Sequence, residues 1–232
     1  AARMIDGRSE RLHRDAVVIV EGERIVAVGG NELLTPGLET LDLGDATLMP
    51  GLIDAHSHPL ITVDDYQTDH LKHSSAYKAL RGLKAVQGNL RAGWTTLRIA
   101  GDADVAYAVT DLRKAIDGGL FLGPRLSGAA HYLSTTGGGG DINFLAPEVH
   151  VAADGRIADG VDEVRKAVRE EIKYGSDWVK LLVTGAFMSA GDRPQDVHFS
   201  PEELRVAVDE AKRHGVPVMA HAHATEGIKA AI

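Results

Sequence analysis

From Thr47 onward, short apolar runs alternate with amphipathic segments of helical period, and this alternation limits the chain more than any other feature. Such a pattern builds βαβ units, in which parallel strands are joined by helical crossovers that cover the sheet. Leu48 to Ala55, Thr95 to Ala100, Arg125 to Ala129, Trp178 to Val183 and Pro217 to His221 read as the strands. One intervening helix carries Val161, Val164, Val168 and Ile172 on a single stripe and stops at Gly175. The next opens Ser200-Pro201-Glu202-Glu203, a capping box with proline at the first helical position. It should bury Leu204, Val208 and Ala211 and stop at Gly215.

Ahead of Asp45 the texture is different. The runs Ala16 to Val20, Arg24 to Val28 and Thr40 to Leu43, separated by turns such as Glu21-Gly22-Glu23, predict a small antiparallel β unit. The expected division is residues 1–46 for that unit and 47–232 for the α/β part. Two connections, Ala130 to Gly160 and Thr184 to Phe199, are longer than chain geometry requires. Each follows the C-terminal end of a strand, where parallel α/β barrels build their sites, so they read as walls or lids; plain linkers are the blander reading.

With 44% hydrophobic residues in 232, the chain can bury a substantial core. Its net charge of −8, with basic residues scattered among acids, offers no stripe for nucleic acid or an anionic membrane. No apolar run approaches the ~20 residues of a membrane span. The start lacks a signal-peptide pattern, so a cytoplasmic location is expected, with a removed signal left open. Cysteine is absent, which leaves His, Asp, Glu and modified Lys as available metal ligands.

The run from Pro50 to His58 contains His56 and His58 two apart. On a strand, side chains at i and i+2 point the same way, so both imidazoles aim at one point beyond the strand's exit. Alone, such a pair is a weak signal. Lys180 lies in the middle of Trp178 to Val183, where an ammonium would bear a large desolvation cost, so the amine is expected neutral or chemically altered. A neutral amine can take up carbon dioxide to form a carbamate whose two oxygens can bridge two metal ions. The plainer reading is a lysine that reaches solvent past the strand end. A third apolar strand ends in His221 and His223. His221 is the expected ligand because it sits at the strand's end, with His223 beside it or touching substrate; the reverse assignment and a purely structural His223 stay open.

A His pair on the first barrel strand, a buried lysine on the fourth and a histidine on the fifth are far more specific together. In these residues the chain resembles the amidohydrolase superfamily, whose strand-one His-x-His and strand-four carboxylated lysine hold one or two divalent metals. Further stretches are similar to its imidazolonepropionase-related branch: Gly93 to Arg98, Gly123 to Leu126, Ser189 to Asp192 with Phe199-Ser200, and His221 to Gly227. That branch includes prolidase-like dipeptidases and ochratoxinase-like amidohydrolases.

The resemblance implies a (β/α)8 TIM-like barrel, with only about the first five strands present, and a small β-sandwich domain built partly from the N-terminal residues. It implies His56, His58, Lys180 and His221 as ligands of two divalent ions, zinc being expected, with Lys180 as a carbon dioxide-derived carbamate bridge. Asp54 becomes an acceptor that orients a histidine, and His131, Tyr132 and Asp141 become substrate contacts. Hydrolysis of dipeptides or N-acyl amino acids by metal-activated hydroxide is the implied activity; alternatives are a cyclic-amide hydrolase of imidazolonepropionase type and a barrel scaffold without catalysis. Expected partners are the small amide substrate, the remaining half of the barrel on the same or a second chain, and further copies in a homo-oligomer. The chain departs from its relatives at Gly139, where a histidine is frequent, and at Ile99, where an acid is frequent. A histidine after strand six and an aspartate after strand eight lie outside these residues.

Overall fold

Proline has no N–H to give a strand, and Pro50-Gly51 accordingly splits the first apolar run in two. The computed structural model describes residues 1–232, which divide into two compact units, Ala1–Leu52 and Ile53–Ile232.

In the first unit, β1 (Arg3–Ile5) pairs antiparallel with β2 (Leu12–Arg14). β3 (Val17–Glu21) and β4 (Arg24–Gly29) form the expected hairpin, and a single 3-10 turn follows at Asn31–Leu33. β5 (Thr47–Leu48) lies parallel to β1, so Leu48, the first residue of the expected strand Leu48 to Ala55, belongs to a different strand, and the barrel strand begins only at Leu52. Thr40 to Leu43 is not a strand either. No neighbouring strand hydrogen-bonds to it, and Leu41 stands 83% exposed.

β6 (Leu52–Ser57) opens the barrel part, beside β7 (Trp94–Ala100) and β8 (Arg125–Ala129). α1 (Tyr66–Lys72) and α2 (Ser75–Arg91) join β6 to β7, and α3 (Ala108–Asp117) joins β7 to β8. The long connection after β8 holds two strands that sequence reading leaves as loop, β9 (Tyr132–Ser134) and β10 (Arg156–Ile157). α4 (Gly160–Lys173), β11 (Val179–Leu182), α5 (Pro201–Arg213), β12 (Val218–His221) and α6 (Thr225–Ala231) complete the chain.

Barrel strand three is therefore broken. Its first part, β8, pairs parallel with β7, and its second part, β9, pairs parallel with β10 and β11. Each part has its own core. Leu60, Val86, Leu97, Ile99, Val109, Leu112 and Leu126 fill one, under α2 and α3. Leu133, Val164, Val168, Val179, Leu181, Val183, Leu204 and Ala207 fill the other, under α4 and α5.

The helix signals appear as anticipated. Ser200 Oγ accepts from Glu203 N while the Glu203 carboxylate accepts from Ser200 N, which completes the capping box, and Gly175 takes φ +107° just past α4. The buried stripe of α5 is rotated from the expected one: Ala207 and Glu210 face inward and Val208 is exposed, because α5 lies against α4, where Arg169 pairs with Glu210. Gly128 in β8 has φ +140°, and a Cβ there would sit 2.1 Å from Ile99 O, so the close approach of β8 to β7 admits no side chain at that position. No helix is long and apolar enough to cross a membrane.

Candidate metal centre

Strand alternation brings His56 and His58 to one side at the exit of β6, where their Nε2 atoms lie 3.1 Å apart. His58 Nδ1 is 2.5 Å from Gly101 O at the end of β7. A carbonyl only accepts, so Nδ1 carries the proton and neutral His58 presents a lone pair at Nε2. Burial pushes the His58 imidazole down to about 4, which keeps it neutral at physiological pH. Asp54 accepts from the backbone N–H of His56 at 3.0 Å, so it holds this residue through the main chain and not through the ring.

Lys180 is 2% exposed on β11, and no carboxylate or carbonyl hydrogen-bonds to its Nζ. Burial, with the Arg98 guanidinium adding to it, pushes the amine down to about 8. Arg98 is fixed from both sides, donating Nε to Ala55 O at 2.9 Å and lying over the Trp178 ring at 4.7 Å. In the parallel register Lys180 pairs with Met219 and Leu182 with His221, which puts His221 one same-face step nearer the strand exits than Lys180. The Lys180 charge is felt at His56, His58 and His221, and with burial it lowers all three imidazoles. His221 Nε2 rests 3.1 Å from Gly185 O, and His223 packs edge-on to it with ring centres 4.5 Å apart.

The three expected substrate contacts fall into different settings. His131 is 4% exposed, and its Nδ1 donates to Glu171 Oε1 on α4 at 2.7 Å, so its ring braces strand three against a helix. Ser176 Oγ donates to the other Glu171 oxygen at 2.8 Å, completing a buried knot. The Tyr132 hydroxyl is buried without a hydrogen-bond partner. Asp141 caps its own loop, accepting from Gly137 N at 2.9 Å.

Sequence reading did not single out a buried polar node that joins α1 to both long loops. Gln67 Nε2 donates to Asp141 O at 3.0 Å and to Asp154 Oδ2 at 3.1 Å, and its Oε1 accepts from Ala190 N at 3.4 Å. Tyr66 Oη lies 2.9 Å from Ser189 Oγ, which donates to Gly139 O at 2.6 Å. Burial pushes the Asp154 carboxyl up to about 7. Asp102, just past β7, is fully buried and is also pushed well above the usual carboxylate range by burial; Leu60 N donates to one of its oxygens at 3.1 Å. A helix such as α1, with Tyr66 and Gln67 as its first two residues, shows no signal of its own for this role.

The donor set suits a divalent ion in part. Two imidazole nitrogens on a tetrahedral zinc stand ~3.3 Å apart at ordinary Zn–N lengths, close to the 3.1 Å between His56 and His58. A buried amine with no acid beside it is the kind of group a carbamate would turn into an anionic ligand. His221 Nε2 faces a carbonyl in this arrangement, and no three His, Asp or Glu side chains are already gathered at ligand distances.

Half of a parallel β/α barrel, with imidazoles and a buried lysine at the strands' C-terminal ends, defines the class structurally. Residues 47–232 match the amidohydrolase family, and the chain belongs to it. It is similar to the ochratoxinase of Aspergillus niger, 36% identical across the whole chain and 51% of that protein's length. Among solved structures it is similar to a prolidase complexed with N-methylphosphonate-L-proline, at 32% identity and a TM-score of 0.88, over 99% of this chain and 57% of that one. A Xaa-Pro dipeptidase with bound methionine in its active site matches at 30% identity and a TM-score of 0.88, over all of this chain and 57% of that one. The chain thus spans about half the length of the proteins it resembles.

Proposed function

We propose that the full-length protein hydrolyses the amide bond of dipeptides or N-acyl amino acids, using two divalent metal ions, with zinc expected. The carrying observation is Lys180: buried, without an acid partner, and close enough to His56, His58 and His221 that its charge adds to the lowering that burial imposes on all three. In this reading the neutral Lys180 amine would take up carbon dioxide and release a proton, giving an anionic carbamate, and that group with His56, His58 and His221 would hold the ions; His221 Nε2 would have to give up Gly185 O to do so. When bound, such ions polarise a scissile carbonyl and lower the pKa of a bound water. Gly101 O keeps His58 in the tautomer that leaves Nε2 free, and Arg98 disfavours the ammonium form of Lys180. The family membership and the prolidase and ochratoxinase likenesses support this reading.

Two further assignments accompany it. The N-terminal β unit and the barrel portion are domains meeting near residue 46, and the rest of the barrel is supplied by the same or a second chain. Elemental analysis of metal per chain, on parent and Lys180→Ala, tests the centre: about two ions in the parent and a marked loss in the variant are expected. No metal in either would overturn it. A panel containing N-acyl amino acids, dipeptides and a cyclic amide separates linear hydrolysis, releasing a free amino acid, from ring opening alone.

A further inference from the structure

Beyond His58 the chain turns at once. Ile61 N donates to His58 O at 3.2 Å, closing a four-residue turn with Pro59 at its second position. Proline has no N–H, so the one central donor of this turn is Leu60 N. It donates to Asp102 Oδ1 at 3.1 Å. The Leu60 carbonyl accepts from Arg81 Nη2 at 3.2 Å, and the Leu60 side chain, 2% exposed, packs in the core under α2 and α3. The turn that follows the His-x-His pair is thus held at its N–H, its carbonyl and its side chain, all by groups buried or half-buried within this chain.

Asp102 is a costly group to use for this. It is fully buried, and its Oδ2 has no hydrogen-bond partner, so the chain bears a desolvation cost at this point. Its place in the sequence gives the reason. Gly101 O accepts from His58 Nδ1 at 2.5 Å, and the very next residue accepts from the turn behind His58. Both are themselves fixed. Asp102 N donates to Ala130 O at 2.9 Å, and Gly101 has φ +83°, with Tyr132 N 2.5 Å from where a Cβ would stand, a position that admits only glycine. Two successive residues past the end of β7 therefore hold the ring and the main chain of one histidine.

We propose that Asp102 is a positioning residue for the candidate ligand His58: its carboxylate fixes the turn from His58 to Ile61 so that the ring meets Gly101 O and presents Nε2 beyond the strand's exit. The proposal rests on the metal-centre reading and adds to it a residue that touches neither ion nor substrate. Because Asp102 acts by accepting a hydrogen bond, the acceptor is what matters and the charge is not.

The test uses the full-length protein loaded with zinc and reads zinc per chain across a graded chelator, with circular dichroism to show the fold. Asp102→Asn keeps an acceptor oxygen and should hold zinc within about threefold of the parent. Asp102→Leu keeps the volume and removes both the buried charge and the acceptor; it should fold and hold zinc about 10- to 100-fold more weakly. Asp102→Ala, which adds no bulk, carries the same expectation if the leucine variant does not fold. Zinc held as tightly as in the parent by an acceptor-free variant, or weakened alike in the asparagine and acceptor-free variants, would overturn the positioning role and leave the metal centre intact. Failure of both acceptor-free variants to fold would show that Asp102 serves the fold alone, which also overturns it. A parent that binds no zinc would overturn the centre and the proposal together.

Discussion

Replacing Lys180 with methionine should make the metal-stripped protein more stable. The amine sits at about 8 in the folded chain against 10.5 in the open, and at about 1.4 kcal/mol for each tenfold change the difference is about 3 kcal/mol. The sign follows from proton counts. Between about pH 8 and 10.5 the unfolded chain holds a proton on this lysine that the folded chain has shed, so stability rises with pH across that window. Below it both states are protonated and the folded state bears the whole cost. Lys180→Met keeps the volume and removes the charge. In chelated, carbon dioxide-free buffer, urea unfolding should therefore place the variant about 3 kcal/mol above the parent at pH 7, with the gap closing toward pH 10.5. A gap that does not change with pH, or a parent more stable at pH 7, would refute the reasoning. The same variant should retain little metal, the expected pattern for a residue kept for chemistry at the expense of stability.

Asp154, raised to about 7 by burial, has the opposite sign: its contribution is best below the unfolded carboxylate range and declines as pH rises toward about 7. Asp154→Asn should thus raise Tm at pH 8, by roughly 2 to 4 kcal/mol equivalent, and do much less at pH 4. Gln67→Ala strips partners from Asp141 O, Asp154 and Ala190 N; about 1–3 kcal/mol of local stability should go, read as faster proteolytic nicking between Thr184 and Phe199. Gly128→Ala forces a Cβ onto Ile99 O, and a loss above ~4 kcal/mol should leave little folded material by circular dichroism.

Most of the barrel part could be read because periodicity there is strong. The strands around Leu97, Leu126, Leu181 and Met219 fall where their apolar runs lie, and α4 and α5 begin and end near their caps. Legibility failed where partners decide. Tyr132–Ser134 has no strand pattern of its own and is a strand because β11 offers it hydrogen bonds. Glu171 follows Val164 and Val168 on the buried stripe of α4, so its burial was foreseeable from spacing, but His131 as its partner was not, since a tertiary contact between residues 40 apart leaves no local mark. The candidate ligands were visible because each lies on a strand or one residue past its end, where facing is fixed, whereas the Gln67 node is assembled from a helix start and two loops with no shared period.

The break in strand three divides the labour of the site. His56 and His58 belong to the sheet of β6, β7 and β8, while Lys180 and His221 belong to the sheet of β9, β11 and β12. The two sheets have separate cores, and the contacts that cross between them include Arg98 over the Trp178 ring and the pairing of His131 with Glu171. Without a bound ion, each half can open in amide exchange on its own schedule. Ligation from both sides would make the two openings a single event, so the spread of exchange rates between Leu97 and Leu181 becomes a gauge of occupancy that needs no substrate.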